Sequence, residues 1–152
     1  MGLGFQNQKF FRGGIGIRVK MSAGQIRFMI EKTRESYPVE ACGALFGELS
    51  GSEARIRKIV AFRNTLESTV RFQIDPEDFL KTLFEAEIEG LQHLGFFHSH
   101  SAGTRPSATD IKYMKLWPET IWLIISSINY EVAAYRMING DLHEVRIDVE
   151  AG

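Results

Sequence analysis

Residues 94–110 read LGFFHSHSAGTRPSATD, and the pattern of this stretch indicates a strand, a loop and the start of a helix. Its first half is apolar and aromatic, which is typical of a central strand. The loop 101–106 follows, and Ser107 has the position of a helix N-cap, from which a third helix is expected to run to about Trp117. The stretch therefore predicts a central strand that is joined to a helix by a short loop.

The residues before this stretch predict a strand, a helix and a hairpin. Residues 15–20 alternate between apolar and polar side chains, as a strand does, and the helix expected in residues 22–36 begins behind the N-cap Ser22. Residues 41–49 and 54–62 are two strand-like runs separated by a Gly-Ser turn. They are expected to form an antiparallel hairpin.

The strongest helical signal of the chain lies between that hairpin and the central strand. Residues 70–74 predict a short strand, and Asp75-Pro76 predicts a helix start because proline suits the first helical position. The helix is expected to end at Gly90. It carries its large apolar residues on one face, namely Phe79, Leu80, Leu83, Phe84 and Ile88.

After the third helix, residues 120–128 predict a buried strand, and residues 130–137 and 141–149 predict a hairpin. Its turn contains Asn139-Gly140, a pair that suits the positive backbone angles of a tight turn. Together these elements predict a mixed α/β fold with a mainly antiparallel sheet and three helices.

The composition is that of an intracellular globular domain. The chain has 152 residues, 44% of them hydrophobic and 24% charged, with a net charge of -1. Neither nucleic acid nor a membrane is expected as a partner, since no polybasic segment and no apolar run of about 20 residues occurs. Cys42 is the only cysteine, which excludes an intrachain disulfide and a Cys-rich zinc site and favours the cytoplasm. Residues 1–14 are expected to be a flexible extension of a single domain at 15–150.

The candidate chemistry lies in His98, His100 and Asp110. Two histidines that are two residues apart on a strand project from the same face, and the loop can bring a carboxylate to them. Three protein ligands and one open position are typical of a catalytic zinc site. Each half also has a simpler interpretation: the histidines alone can be hydrogen-bonded core residues, and Ser107 with Asp110 can be a capping box. Their coincidence at one strand-loop-helix junction favours the metal site.

At this point the sequence resembles the JAMM/MPN+ (Mov34/PAD-1) zinc metalloproteases. The run GFFHSH...RPSATD is similar to the family signature, His-x-His followed by Ser-x-x-Asp. The segments YPVEACGALFGE and RFQIDPEDFL resemble the family's glutamate-bearing segment and its strand before the second helix. The resemblance covers roughly residues 15–147. It departs from the family at Ser101, where proline is usual, and in the loop 101–106, which has six residues where seven are usual.

The resemblance implies a fold and a role for each site residue. It implies the MPN (JAMM) fold, a mainly antiparallel curved sheet flanked by about three helices. His98, His100 and Asp110 would bind Zn²⁺, and Glu40 would be the general acid/base that moves the proton of the attacking water. Ser107 would donate a hydrogen bond to the oxyanion of the tetrahedral intermediate.

The implied function is that of a deubiquitinase-like isopeptidase. Its substrate would be a peptide or isopeptide bond at the C-terminus of ubiquitin, of a ubiquitin-like modifier or of a sulfur-carrier protein, as in the small archaeal and bacterial members. The alternative is a non-catalytic MPN scaffold that binds ubiquitin-like proteins. A homodimer or a larger complex stays open, as do the identity of the modifier and the choice between linear and isopeptide bonds.

Four other polar residues are weaker candidates for a catalytic or metal-binding role. His93 and His143 lack a partner at ligand spacing and are expected to be structural or solvent-facing. Cys42 lies in an apolar strand, where a thiol is typically a small hydrophobe rather than a nucleophile. Arg105 is expected to be exposed in the loop.

Overall fold

The computed structural model describes residues 16–152. The expected extension at 1–14 therefore lies outside the described residues, and the single domain at 15–150 stays a prediction. Within residues 16–152 the elements are, in chain order, β1 (Arg18–Ser22), α1 (Ala23–Ser36), β2 (Cys42–Ser50), β3 (Glu53–Phe62), α2 (Pro76–Ile88), β4 (Gln92–His100), α3 (Ala108–Leu116), β5 (Ile121–Ser126), β6 (Val132–Ile138) and β7 (Asp141–Glu150).

The seven strands close into one barrel in the order β1-β3-β2-β4-β5-β6-β7. The α/β class and three helices in residues 16–152 agree with the sequence, but the sheet is a mixed barrel rather than a mainly antiparallel curved sheet. β1 closes the ring because it pairs in parallel with both β3 and β7, and β4 pairs in parallel with β5. The remaining neighbours, including the two predicted hairpins, are antiparallel.

All three helices begin at the predicted N-caps. The Ser22 and Ser107 side chains accept hydrogen bonds from the backbone amides of Gln25 and Asp110, and both caps are complete capping boxes. Asp75 accepts from the amide of Asp78, with proline at the first position of α2. None of these helices is long and apolar enough to cross a bilayer.

The prediction of a short strand at residues 70–74 is wrong. This segment is irregular, since its backbone bonds to nearby loop residues instead of a neighbouring strand. The amide of Gln73 donates to the Asn64 side chain, and its carbonyl accepts from the amide of Thr65. The apolar alternation of the segment has a different purpose, because Phe72 and Ile74 pack against a core cluster.

Apolar residues form two clusters on opposite faces of the strands. The first contains Phe97 of β4 and Met29 of α1. The second contains Phe96 of β4, Ala86 of α2 and Met114 of α3, so α2 and α3 cover the outer face of β4. Only part of the apolar face of α2 is covered: Phe79 and Leu83 pack on the second cluster, while the side chains Leu80, Phe84 and Ile88 are exposed.

A close approach of β5 fixes the path of β4. A Cβ atom at Gly95 would collide with the carbonyl oxygen of Ile121, the residue that it faces in the parallel β4–β5 ladder. Glycine is therefore required there, because only its backbone lets the two strands lie this close. The ladder continues to His100, so β4 holds both histidines of the motif in a fixed register.

Candidate metal centre

The end of β4 and the first turn of α3 bring three metal-binding side chains together. His98 and His100 project from the same face of β4, towards the N-terminus of α3. Their Nε2 atoms lie 3.0 Å apart, and each lies close to Oδ2 of Asp110, at 3.1 Å from His98 and 2.9 Å from His100. Within residues 16–152 this is the cluster of His, Cys, Asp or Glu side chains suited to a metal ion.

Asp110 is at once a helix cap and a member of this cluster. Its Oδ2 accepts a hydrogen bond from the Ser107 backbone amide at 2.9 Å, and its own amide donates to Ser107 Oγ at 3.0 Å. The same Oδ2 faces both histidines. A capping box and a metal site are therefore compatible at this position, since the cap holds the carboxylate where the histidines meet it.

The donor set and its spacing fit a zinc ion. Zinc bonds to imidazole nitrogen and carboxylate oxygen at about 2.0–2.2 Å, and in a tetrahedron such ligands lie roughly 3.3 Å apart. The three atoms of the cluster are separated by 2.9–3.1 Å, close to that spacing. The His100 ring also makes a hydrogen bond to the backbone of Gly103, the kind of outer contact that orients a ligand histidine.

Burial and mutual contacts determine the charges of the cluster. His98 is fully buried, and burial lowers its pKa, which favours the neutral imidazole that a metal needs. Burial raises the pKa of Asp110, but the hydrogen bonds from His100 and His98 outweigh burial and hold this pKa well below its usual range. The cluster thus presents an ionised carboxylate beside a neutral imidazole.

Glu40 lies beside the cluster and is not part of it. It immediately precedes Ala41 and β2, and it is only 5% exposed. Burial raises the pKa of Glu40 to about 8; the His100 charge opposes this shift and the Asp110 charge adds to it. Its Oε1 is buried and has no hydrogen-bond partner among the described residues. A buried carboxyl with a pKa near neutrality is suited to accepting and returning a proton.

Hydrogen bonds to neighbouring strands hold the six-residue loop 101–106 in place beside the site. The carbonyl of Ala102 accepts a hydrogen bond from Ser126 Oγ at 2.7 Å, and the amide of Ser127 donates to the carbonyl of His100 at 2.8 Å. A hydrogen bond also joins Thr104 to Tyr135. These contacts fasten the loop to the end of β5 and to the middle of β6, so the shorter loop still places Ser107 and Asp110 at the cluster.

Two residues that the sequence did not single out support the site. Ser99 lies between the two histidines and points to the opposite face of β4, where its Oγ accepts from the amide of Ala41 at 2.8 Å. The Ser99 amide donates back to the Ala41 carbonyl at 3.0 Å, which ties β4 to the residue next to Glu40. Phe72 stacks on the His98 ring at 4.7 Å. The strand alternation alone hints at Ser99, but no local pattern predicts Phe72.

A groove of about 400 Å³ opens beside the cluster between residues 66–74, α2 and α3. Phe72 forms both the contact with His98 and part of the groove wall. The Nε1 donor of Trp122, another wall residue, is buried without a partner among the described residues. The groove is mostly apolar and aromatic, and its wall includes Leu66, Phe72, Phe79, Phe96, Tyr113, Trp117 and Trp122.

The remaining candidates lie outside the cluster. His143 and Arg105 are exposed. Cys42 is buried, and burial together with the nearby Glu40 raises the pKa of its thiol to about 12, which disfavours a nucleophilic thiolate. His93 packs against aromatic rings, including Phe96 at 4.8 Å, and its Nε2 lies 2.9 Å from the Gly95 carbonyl oxygen.

The environment of His93 predicts a loss of stability in acid. Burial lowers its pKa from 6.5 to about 4, so the unfolded chain takes up this proton at a higher pH than the folded chain does. Stability therefore falls as the pH decreases from about 6.5 to about 4, by about 2 kcal/mol between pH 7.5 and 5. Urea unfolding of metal-stripped wild type and His93→Phe at these two pH values measures the effect. Wild type is expected to lose more unfolding free energy between pH 7.5 and 5 than His93→Phe. An equal loss in both proteins would contradict the assignment of this effect to His93.

Comparison with known proteins agrees with this geometry. Residues 22–138 match the family model described as prokaryotic homologs of the JAB domain. A desampylase of Pyrococcus furiosus is 43% identical over 122 residues, which cover 80% of this chain and 84% of that protein. A CysO-cysteine peptidase of Mycobacterium tuberculosis is 28% identical over 131 residues, which cover 84% of this chain and 88% of that protein.

Solved structures share the fold as well. The solution structure of a Desulfitobacterium hafniense protein superposes with a TM-score of 0.80 at 27% identity, covering 88% of this chain and 94% of that chain. The family model spans most of the chain and both relatives are matched over most of their length. The predicted family is thus confirmed: the chain belongs to the prokaryotic homologs of the JAB domain and is a JAMM-type peptidase.

Proposed function

We propose that this chain is a zinc-dependent peptidase that hydrolyses the peptide or isopeptide bond at the C-terminus of a ubiquitin-like or sulfur-carrier protein. One observation carries the proposal: the ligand atoms of His98, His100 and Asp110 converge within 3.1 Å beside the buried carboxyl of Glu40. A scaffold has no use for a buried carboxyl oxygen that lacks a hydrogen-bond partner, as Oε1 of Glu40 does among the described residues, since such an atom costs stability unless it serves a reaction.

His98, His100 and Asp110 would hold the zinc ion. Bound zinc supplies Lewis acidity, which lowers the pKa of water to about 7 and polarises a carbonyl group. Glu40 takes the proton of the attacking water and returns it to the leaving amine. Burial raises the pKa of Glu40 to about 8, and a cation held by the neighbouring ligands favours the carboxylate form that accepts this proton.

Ser107 stabilises the charge that develops on the scissile carbonyl. Its Oγ accepts from the Asp110 amide at 3.0 Å, and its hydroxyl hydrogen can be donated to the oxyanion. The capping box holds this hydroxyl at the N-terminus of α3, where the helix dipole also favours negative charge.

The substrate class rests on the relatives and on the groove. The relatives carry the names desampylase and CysO-cysteine peptidase, which indicate modifier and sulfur-carrier proteins as the substrates. An extended C-terminal tail is thin enough to lie in the groove, whose wall residue Phe72 contacts the His98 ring. The helix α2, which contributes Pro76 and Phe79 to the groove wall, also carries exposed apolar side chains such as Leu80 and Phe84, and these suit the body of a folded substrate.

Cleavage of a defined conjugate tests the proposal. The substrate is a ubiquitin-like protein of a JAB-encoding archaeon or bacterium, fused through its C-terminal glycine either to a short peptide or to a lysine side chain. We expect the intact mass of the released modifier to correspond to a free C-terminal glycine. Binding of the fusion without any cleavage would instead support the scaffold alternative.

A further inference from the structure

Asn64 is a buried residue two positions after Phe62, the last residue of β3, and its side chain joins the loop 64–73 to Glu40. It is 6% exposed. Its Nδ2 lies within hydrogen-bond distance of three carbonyl oxygens, which share its two N–H hydrogens: those of Glu40 at 3.2 Å, Ser68 at 3.4 Å and Arg71 at 2.9 Å. One amide group therefore connects the backbone of Glu40 with two points of the loop.

The other half of the Asn64 side chain is equally engaged. Its Oδ1 accepts hydrogen bonds from the backbone amides of Leu66 at 3.1 Å and Gln73 at 3.2 Å. Both polar atoms of the amide thus have partners, and all of them are backbone groups. A side chain with such contacts fixes the shape of the loop between its two ends.

The backbone of Glu40 depends on this loop because the sheet does not hold it. Glu40 precedes Cys42, the first residue of β2. Its amide donates to the Ser68 carbonyl at 2.9 Å, and its carbonyl accepts from Asn64. Both backbone polar groups of Glu40 are therefore bonded to the loop 64–73.

The same loop also contacts the metal cluster. Phe72 stacks on the His98 ring at 4.7 Å, and the preceding residue, Arg71, is bonded to Asn64 through its carbonyl. Asn64 thereby links the support of Glu40 to the support of a cluster histidine. A shift of about 1 Å in a reacting group can reduce turnover about 100-fold, so this link has consequences for the rate.

We propose that Asn64 is a positioning residue, which sets the distance between the Glu40 carboxyl and the cluster of His98, His100 and Asp110 by tying the loop 64–73 to the Glu40 backbone. This inference rests on the proposed function for its effect on the rate. The tie itself is independent of any activity and can be measured separately.

Asn64→Asp removes the donor half of the contact and adds one negative charge. Aspartate has nearly the same shape and keeps an acceptor for Leu66 and Gln73, but it cannot donate to the Glu40 carbonyl. The matched control is Asn129→Asp, because Asn129 is exposed and its Oδ1 accepts only a local bond from the amide of Glu131. If thermal melting shows that Asn64→Asp does not fold, Asn64→Ser replaces it, since serine keeps a short acceptor and has no amide donor.

Two measurements give separate answers. Amide hydrogen exchange by NMR is expected to show the Glu40 amide exchanging at least ~10-fold faster in Asn64→Asp than in wild type or Asn129→Asp. With the cleavable fusion, kcat is expected to fall by about 10- to 100-fold, with KM within about twofold and the zinc content unchanged.

Each result decides the inference. Unchanged exchange at Glu40, or a higher KM with an unchanged kcat, overturns it, because the latter is the result of loosening a groove wall alone. If wild type cleaves no fusion, the proposed function fails. Hydrogen exchange at the Glu40 amide then decides by itself whether Asn64 ties the loop 64–73 to the Glu40 backbone.

Discussion

Glu40→Gln is expected to lower kcat by about 10²- to 10⁴-fold while the protein keeps its metal. Glutamine has almost the same size and removes only the ability to take and return a proton. It removes no ligand, since the cluster consists of His98, His100 and Asp110. Single-turnover cleavage of the fusion measures the rate, and elemental mass spectrometry of the same sample measures the metal content.

Glu35→Gln is the control for this change. Glu35 is exposed at the end of α1 and pairs with Lys32 at 3.3 Å, so Glu35→Gln removes the charge of a glutamate from a surface ion pair and leaves Glu40 in place. Turnover by Glu35→Gln should equal that of wild type. Activity of Glu40→Gln within a few-fold of wild type would exclude Glu40 as the proton carrier, whatever its metal content.

His98→Ala is expected to lose both the metal and the activity. It removes one of three protein ligands from a buried position, and loss of an outer contact alone typically weakens metal binding by about 10- to 100-fold. Removing the ligand itself should exceed that effect, leaving much less than one zinc per chain after dialysis. Elemental mass spectrometry and the cleavage assay on the dialysed protein measure the result.

His143→Ala is the control for His98→Ala. It shows whether zinc is lost because a proposed ligand is removed or because any histidine is removed. His143 is exposed on β7, far along the chain from the cluster, and should retain full zinc and full activity. The site would be misplaced if His98→Ala bound as much zinc as wild type. Equal zinc loss in His98→Ala and His143→Ala would indicate adventitious surface binding.

The sequence predicted that His98, His100 and Asp110 lie together because their positions are encoded locally. A strand places residues two apart on one face, and a capping box places the third residue after Ser107 towards the helix start. Both rules act over a few residues, so His98, His100 and Asp110 could be assigned to one place. The assignment of Glu40 needed the family resemblance, since Glu40 is 58 residues from His98 and no short-range rule joins them.

The closure of the barrel could not be predicted in the same way. It depends on β1, a strand of five residues that pairs with β3 on one side and with β7 from the other end of the chain. Pairing between distant segments leaves no local pattern. The expected curved, mainly antiparallel sheet therefore missed the parallel contacts of β1.

The loop before α2 shows the opposite error. Residues 70–74 alternate as a strand does, but Asn64 and Thr65 take the hydrogen bonds that a neighbouring strand would take. Such competition between a side chain and a neighbouring strand for backbone hydrogen bonds is a tertiary effect, and the alternation of apolar residues does not reveal it. The roles of Asn64 and Phe72 at the site follow from this loop and were missed for the same reason.

The central claim is that the three ligands hold a zinc ion on which hydrolysis depends. Cleavage of the fusion by purified, metal-stripped and zinc-reloaded protein tests it most directly. We expect the stripped protein to lose nearly all activity and to recover it with about one equivalent of Zn²⁺, but not with Mg²⁺, because imidazole ligands select zinc over magnesium. Unchanged cleavage by the stripped protein would contradict the metal-dependent account.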